Sequence, residues 1–241
     1  MPDNKKASRL LIIKNITREG PGLLEEVLEK RSISYDVIDL DRGEDLPDAR
    51  GYGAIVVLGG PDSANDETVK MKKELAWIRE TIAAEIPYLG ICLGFQVLVK
   101  AAGGEVVGSP VREVGFIDQE GNRFTVELTE NGRRDPLFNG LDRTFDVFQL
   151  HGETVELTND ITLLGVGKFC RNQIARVGTN AYGIQCHFEL TPVMLETWMN
   201  EDTELLKLDK AQLRSNFEKI KNEYNRVGRQ LLSNFLKIAR F

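Results

Sequence analysis

The chain has 241 residues, a formal net charge of −6 and 41% hydrophobic residues. That apolar share supplies a sizeable core, and the acidic balance excludes electrostatic capture of nucleic acid or of an anionic membrane. Residues 1–8 are polar with no secretion-signal core, no later run is long enough to span a bilayer, and three widely spaced cysteines make no disulfide framework; a reducing cytoplasm is expected.

Residues 9–14, Arg-Leu-Leu-Ile-Ile-Lys, predict a buried first strand, and Pro21 opens a helix with Leu23, Leu24, Val27 and Leu28 on one face. Strands follow over 34–40 and 54–58, the second ending in Gly59-Gly60-Pro61-Asp62-Ser63. Strands alternating with helices imply parallel pairing, and ligands collect at the carboxyl ends of such strands. The Gly59-Gly60 turn is therefore a candidate for backbone N–H groups aimed at a ligand, or else a plain turn. Met71, Leu75, Ile78 and Ile82 mark a helix over 66–86 that covers the sheet.

The next stretch, Pro87-Tyr-Leu-Gly90-Ile-Cys92-Leu-Gly94-Phe-Gln96, runs a short apolar strand into Gly-x-Cys-x-Gly and then a helical pattern over 93–102. This is the layout of a nucleophile elbow, with cysteine where hydrolases carry serine. The sharp turn lifts the side chain to a helix N-terminus, where free N–H groups favour a thiolate and then an oxyanion. A small buried cysteine at a strand–helix junction is the competing reading. No Gly-Lys-Ser/Thr follows the glycines, which excludes a P-loop.

Beyond Gly103-Gly104 a strand starts at Glu105. Short alternating segments over 115–118, 124–128 and 144–150, with turns at Glu120-Gly121-Asn122 and Asn131-Gly132, predict antiparallel β attached to the parallel core. Segments 161–166, 173–177 and 181–186 continue it. After Thr191-Pro192 the chain reads as helical, with Asp209 as an N-cap and an apolar stripe from Leu213 to Ile238. That stripe is expected to pack back on its own domain, a homodimer or partner face being the alternative. The expected organisation is one α/β domain over 1–195 with a helical extension over 196–241.

A cysteine nucleophile needs a base, and the chain holds two histidines. In Gln185-Cys186-His187-Phe188-Glu189, extended backbone puts His187 and Glu189 on one face and turns Cys186 into the core. A carboxylate beside the imidazole fixes its tautomer and stabilises its charged form, which makes Cys92, His187 and Glu189 candidate nucleophile, base and orienting group. His151, in His151-Gly152-Glu153, is expected to line the pocket, with Gly152 marking a turn. Cys170 has no acidic or histidine neighbour in sequence and reads as packing. Cys186-His187 lacks further ligands at metal spacing.

Together, Gly59-Gly60-Pro61, the elbow at Cys92, His151-Gly152-Glu153 and Gln185-x-His187-x-Glu189 resemble the class I, triad-type glutamine amidotransferases over roughly residues 50–195. Within them the chain is most similar to stand-alone GMP synthase-like members. The resemblance implies a flavodoxin-like α/β fold and hydrolysis of the glutamine side-chain amide, with Cys92 attacking, His187 carrying protons and ammonia passing to an acceptor. It implies Gly60 and Leu93 as oxyanion-hole amides, and Gly59, Gln96, His151, Gly152 and Glu153 against the glutamine substrate. No metal or cofactor is expected, and any synthetase or acceptor is expected on a separate chain. Phe188 stands where the family often has proline, and Glu153 where aspartate is usual. The longer Glu153 side chain puts a γ-glutamyl peptide or conjugate beside glutamine as an alternative substrate. A non-catalytic binding module is the remaining alternative.

Overall fold

The computed structural model describes residues 9–241. The polar stretch 1–8, read above as carrying no secretion signal, lies outside the described residues. Strands β1 (Arg9–Lys14), β2 (Ser34–Asp39), β3 (Ala54–Val57) and β4 (Tyr88–Ile91) alternate with helices α1 (Leu23–Lys30), α2 (Val69–Ala83) and α3 (Leu93–Ala101). Strand β5 (Glu105–Gly115), β6 (Thr125–Leu128), the short helix α4 (Glu130–Arg134), β7 (Thr144–Asp146), β8 (Gln149–Glu156), β9 (Ile161–Val166), β10 (Ile174–Val177) and β11 (Ala181–Ile184) follow. Helices α5 (Pro192–Glu201) and α6 (Lys210–Ile238) complete the chain.

Nine strands form one sheet in the order β2-β1-β3-β4-β11-β10-β9-β6-β7. The half from β2 to β11 is parallel and the half from β11 to β7 antiparallel. Alternation along the strands divides the core. Leu10, Ile12 and Val56 face α1 and the second half of α6, whereas Leu11, Ile13 and Val57 face α2 and α3. A third cluster joins Phe148, Leu190, Trp198, Phe217 and Tyr224, packing α5 and the first half of α6 beside the antiparallel region. The α6 stripe is thereby covered within the chain: Leu213, Phe217, Ile220, Tyr224, Val227, Leu231 and Phe235 are all buried.

Several local expectations are corrected. Strand β11 joins the parallel half on β4, in register Ala181 with Tyr88 through Ile184 with Ile91, and is antiparallel only to β10. Segment 144–150 is two strands, because β7 pairs with β6 while β8 leaves to pair with β5 in a separate ribbon. Of residues 115–118, Gly115 ends β5 opposite Gln149, and beyond it there is only an isolated bridge, Ile117 with Arg123. Asn131-Gly132 is not a turn but lies in α4, where the Thr129 hydroxyl accepts from the Gly132 N–H at 3.1 Å. Among the described residues no helix is long and apolar enough to cross a membrane.

Candidate active site

Cys92 caps the N-terminus of α3 with φ 52° and ψ −107°, a left-handed backbone that non-glycine residues avoid. Its flanking glycines are explained by sterics. A Cβ on Gly90 would strike the Gly94 carbonyl, and one on Gly94 would strike the Val57 carbonyl in β3. The Cys92 N–H donates to the Ile184 carbonyl at 2.8 Å, so the elbow is pinned to the end of β11.

The chain leaving β11 stays extended, and the Phe148–His187 bridge holds it on the neighbouring segment. His187 and Glu189 therefore share a face, and His187 Nδ1 lies 2.7 Å from Glu189 Oε1. Both side chains are buried. The second Glu189 oxygen accepts from the Phe188 N–H at 2.9 Å, which fixes the carboxylate. His187 and the Cys92 thiol line the same cavity, close enough for the thiol to favour the charged imidazole. Burial alone would lower the His187 pKa, but the Glu189 charge and the bonds to Cys92 and Glu189 outweigh it and hold it well above the ordinary histidine range. Cys186 is buried in the core, as expected, and burial pushes its thiol well up.

A cavity of about 350 Å³ opens over this group, lined by Gly60, Gln96, His151, Gly152 and Glu153 besides Cys92 and His187. Gly60 adjoins Leu93, since a Cβ at position 60 would lie 3.4 Å from Leu93 Cδ2. Gly59 has no room for a side chain: its Cβ would stand 2.6 Å from Glu19 Oε2 and 3.2 Å from His187 Cε1. Gln96 donates to the Glu153 carbonyl at 3.3 Å and to Gln185 Oε1 at 3.2 Å, while Glu153 Oε1 accepts from the Ser63 hydroxyl at 2.9 Å.

His151-Gly152-Glu153 is not a turn but part of β8. The Arg112 guanidinium, from the neighbouring strand β5, lies over Gly152. The structure brings every predicted site residue to one cavity or its immediate wall.

Comparison with known proteins gives the same neighbourhood. The family model "Glutamine amidotransferase class-I" matches residues 22–203. The chain belongs to the class I glutamine amidotransferase family. It is 32% identical over 184 residues to YfeJ of Salmonella typhimurium, a glutamine amidotransferase-like protein, covering 74% of each chain. It is 29% identical over 160 residues to the GMP synthase [glutamine-hydrolyzing] of Vibrio parahaemolyticus, covering 66% of this chain but only 27% of that enzyme. The solved glutamine amidotransferase of Thermotoga maritima superposes with a TM-score of 0.84 at 27% identity, over 99% of this chain and 100% of that one. That of Methylobacillus flagellatus superposes at 0.83 with 28% identity, over 96% and 95%.

Within this candidate site lie residues that sequence reasoning missed. Glu19 is buried against His187, and burial pushes its carboxyl up to about 7, with the charges of His187 and Glu189 acting in opposite directions on it. It follows β1 at a strand end, so the rule that singled out Gly59-Gly60 applies to Glu19-Gly20-Pro21 as well. Tyr224, on α6, donates to the His187 carbonyl at 3.0 Å and accepts from the Leu190 N–H at 3.3 Å. Cys170, read as isolated packing, sits beside Glu113 and His151. No sequence signal links those three, which come from β5, β8 and the segment after β9.

Proposed function

We propose that the protein hydrolyses the side-chain amide of glutamine through a glutamyl thioester on Cys92. The observation that carries this reading is Cys92, on a strained elbow, facing a buried histidine whose far nitrogen is held by a carboxylate. An imidazolium stabilised by Glu189 is the partner that a cysteine thiolate needs. The thiolate adds to the amide carbon, and the Gly60 and Leu93 N–H groups receive the oxyanion. His187 gives its proton to the leaving nitrogen, the C–N bond breaks and ammonia departs. Water, losing a proton to His187, then adds to the thioester. The C–S bond breaks and glutamate and the thiol are regenerated.

Gln96, His151 and Glu153 bind the amino-acid end of the substrate in this reading. The GMP synthases matched here are glutamine-hydrolysing enzymes of which the chain spans about a quarter; by analogy, the ammonia goes to an acceptor enzyme on a separate chain. The test is ammonia and glutamate release from glutamine by wild type beside Cys92→Ala, assayed alone and with candidate synthetases. The expected loss in the variant is at least about 10³-fold. Turnover of γ-glutamyl peptides far faster than glutamine would move the assignment to a γ-glutamyl hydrolase. Cys92-independent release would remove the mechanism.

A further inference from the structure

At the wall of the amidotransferase cavity, Glu113, His151 and Cys170 are all buried, with one ligand atom from each lying within 4.8 Å of the other two; His151 lines the cavity, whereas Glu113 and Cys170 take no part in the proposed reaction. The hydrogen-bond geometry of His151 sets the group apart. Its Nδ1 lies 2.9 Å from the Glu153 backbone carbonyl, which can only accept, so Nδ1 carries the hydrogen. In neutral imidazole Nε2 then presents a lone pair. That atom lies 3.0 Å from Glu113 Oε2, yet finds no hydrogen-bond partner among the described residues. Two electron-pair donors at this separation, both out of water, call for a cation between them.

The geometry points to a divalent transition-metal site, of the zinc class, held by Glu113, His151 and Cys170. A histidine whose Nδ1–H is fixed by a backbone carbonyl while Nε2 is free is the arrangement that orients metal-bound imidazoles. The thiol supplies the soft donor, and Thr154 Oγ1 at 3.0 Å from Cys170 Sγ is placed to donate to a thiolate. Gln173 Nε2 already donates to Glu113 Oε2 at 3.2 Å, the same supporting role for the carboxylate. Donors around a tetrahedral zinc are separated by about 3.3–3.8 Å, so the longest gap here has to close by about 1 Å. On binding, the Cys170 S–H proton leaves to solvent and the sulfur bonds the metal. The ion would cross-link β5, β8 and the segment after β9, and so fix the wall whose Leu150 carbonyl accepts from the Cys92 thiol at 3.8 Å.

The experiment titrates the full chain with Co²⁺ in a Cys92→Ala background, which removes the other thiol next to a histidine. It needs no glutaminase activity. The expected result is one Co²⁺ per chain with a thiolate-to-cobalt charge-transfer band, bleached by Zn²⁺. The band should vanish on adding Cys170→Ser, and Glu113→Gln, which keeps the side-chain shape, should weaken binding at least about 10-fold. Absence of the band in the Cys92→Ala protein, or its survival in Cys92→Ala/Cys170→Ser, overturns the proposal and leaves a proton as the bridge between His151 and Glu113.

Discussion

Glu189 touches His187 through one oxygen and the backbone through the other, so its contribution is orientation and charge together. Glu189→Gln keeps the shape but removes the charge and lets the ring adopt the wrong tautomer. The expected outcome is a fall in kcat of about 10²–10⁴-fold with little change in KM, read by steady-state glutaminase kinetics. An unchanged kcat would remove Glu189 from the machinery. This pair was legible in the sequence because its geometry is local: two residues apart in extended chain are on one face. The elbow was legible for a related reason, since Gly90 answers the Gly94 carbonyl within the strand–turn–helix itself, although Gly94 answers the Val57 carbonyl of the neighbouring strand. Glu113, His151 and Cys170 were not, because they meet only through the β5–β8 pairing and the approach of the segment after β9.

Among the elements, α6 does more than cover the sheet. Its Gly228 lies so close to the Phe188 carbonyl that a Cβ would collide with it, and Tyr224 one turn earlier bonds on both sides of the same segment. The helix therefore clamps the stretch that carries His187 and Glu189. Tyr224→Phe deletes only the hydroxyl, leaving a buried carbonyl and N–H unpaired. It should cost about 1–3 kcal/mol in a urea titration and lower kcat about 10-fold through a loosened His187. A stability loss with kcat intact would make Tyr224 purely structural. Element type was mostly readable from periodicity, but strand partners were not. Period-two alternation in 181–186 is the same whether β11 pairs parallel or antiparallel; beside β4, Gly183 leaves the room that the Phe95 ring occupies. A turn dipeptide misled where a tertiary contact supplies another reason for glycine, as at Gly132 under the Leu164 carbonyl.

For the molecule as a whole, two buried carboxyls set a pH dependence. Burial pushes Glu74 up to about 7, partly offset by the Asn15 hydrogen bond and Lys70, and Glu19 likewise up to about 7. A carboxyl whose folded pKa exceeds its unfolded 4.5 holds its proton more tightly in the fold. Its penalty is absent below pH 4.5, grows between 4.5 and 7 and is complete above 7. Glu74→Gln is neutral at every pH and keeps the acceptor for Asn15 Nδ2, 3.2 Å away. It should match wild type near pH 4 and exceed it by about 1–3 kcal/mol at pH 8, a gain of several degrees in Tm by calorimetry. Parallel pH–Tm curves for the two proteins would show that Glu74 does not ionise within the fold.

The pairing of β4 with β11 has a further consequence for how the protein comes into being. Residues 88–91 emerge from the ribosome well before 181–184, and the α6 clamp on His187 emerges later still. Such long-range pairings form late, after much loop-closure entropy has been lost. A nascent chain therefore carries Cys92 as an ordinary thiol, with neither its base nor the strand that pins its elbow. Reactivity arrives only once the residues through α6 have been made and packed, so a product stalled before them would be inert in the proposed reaction.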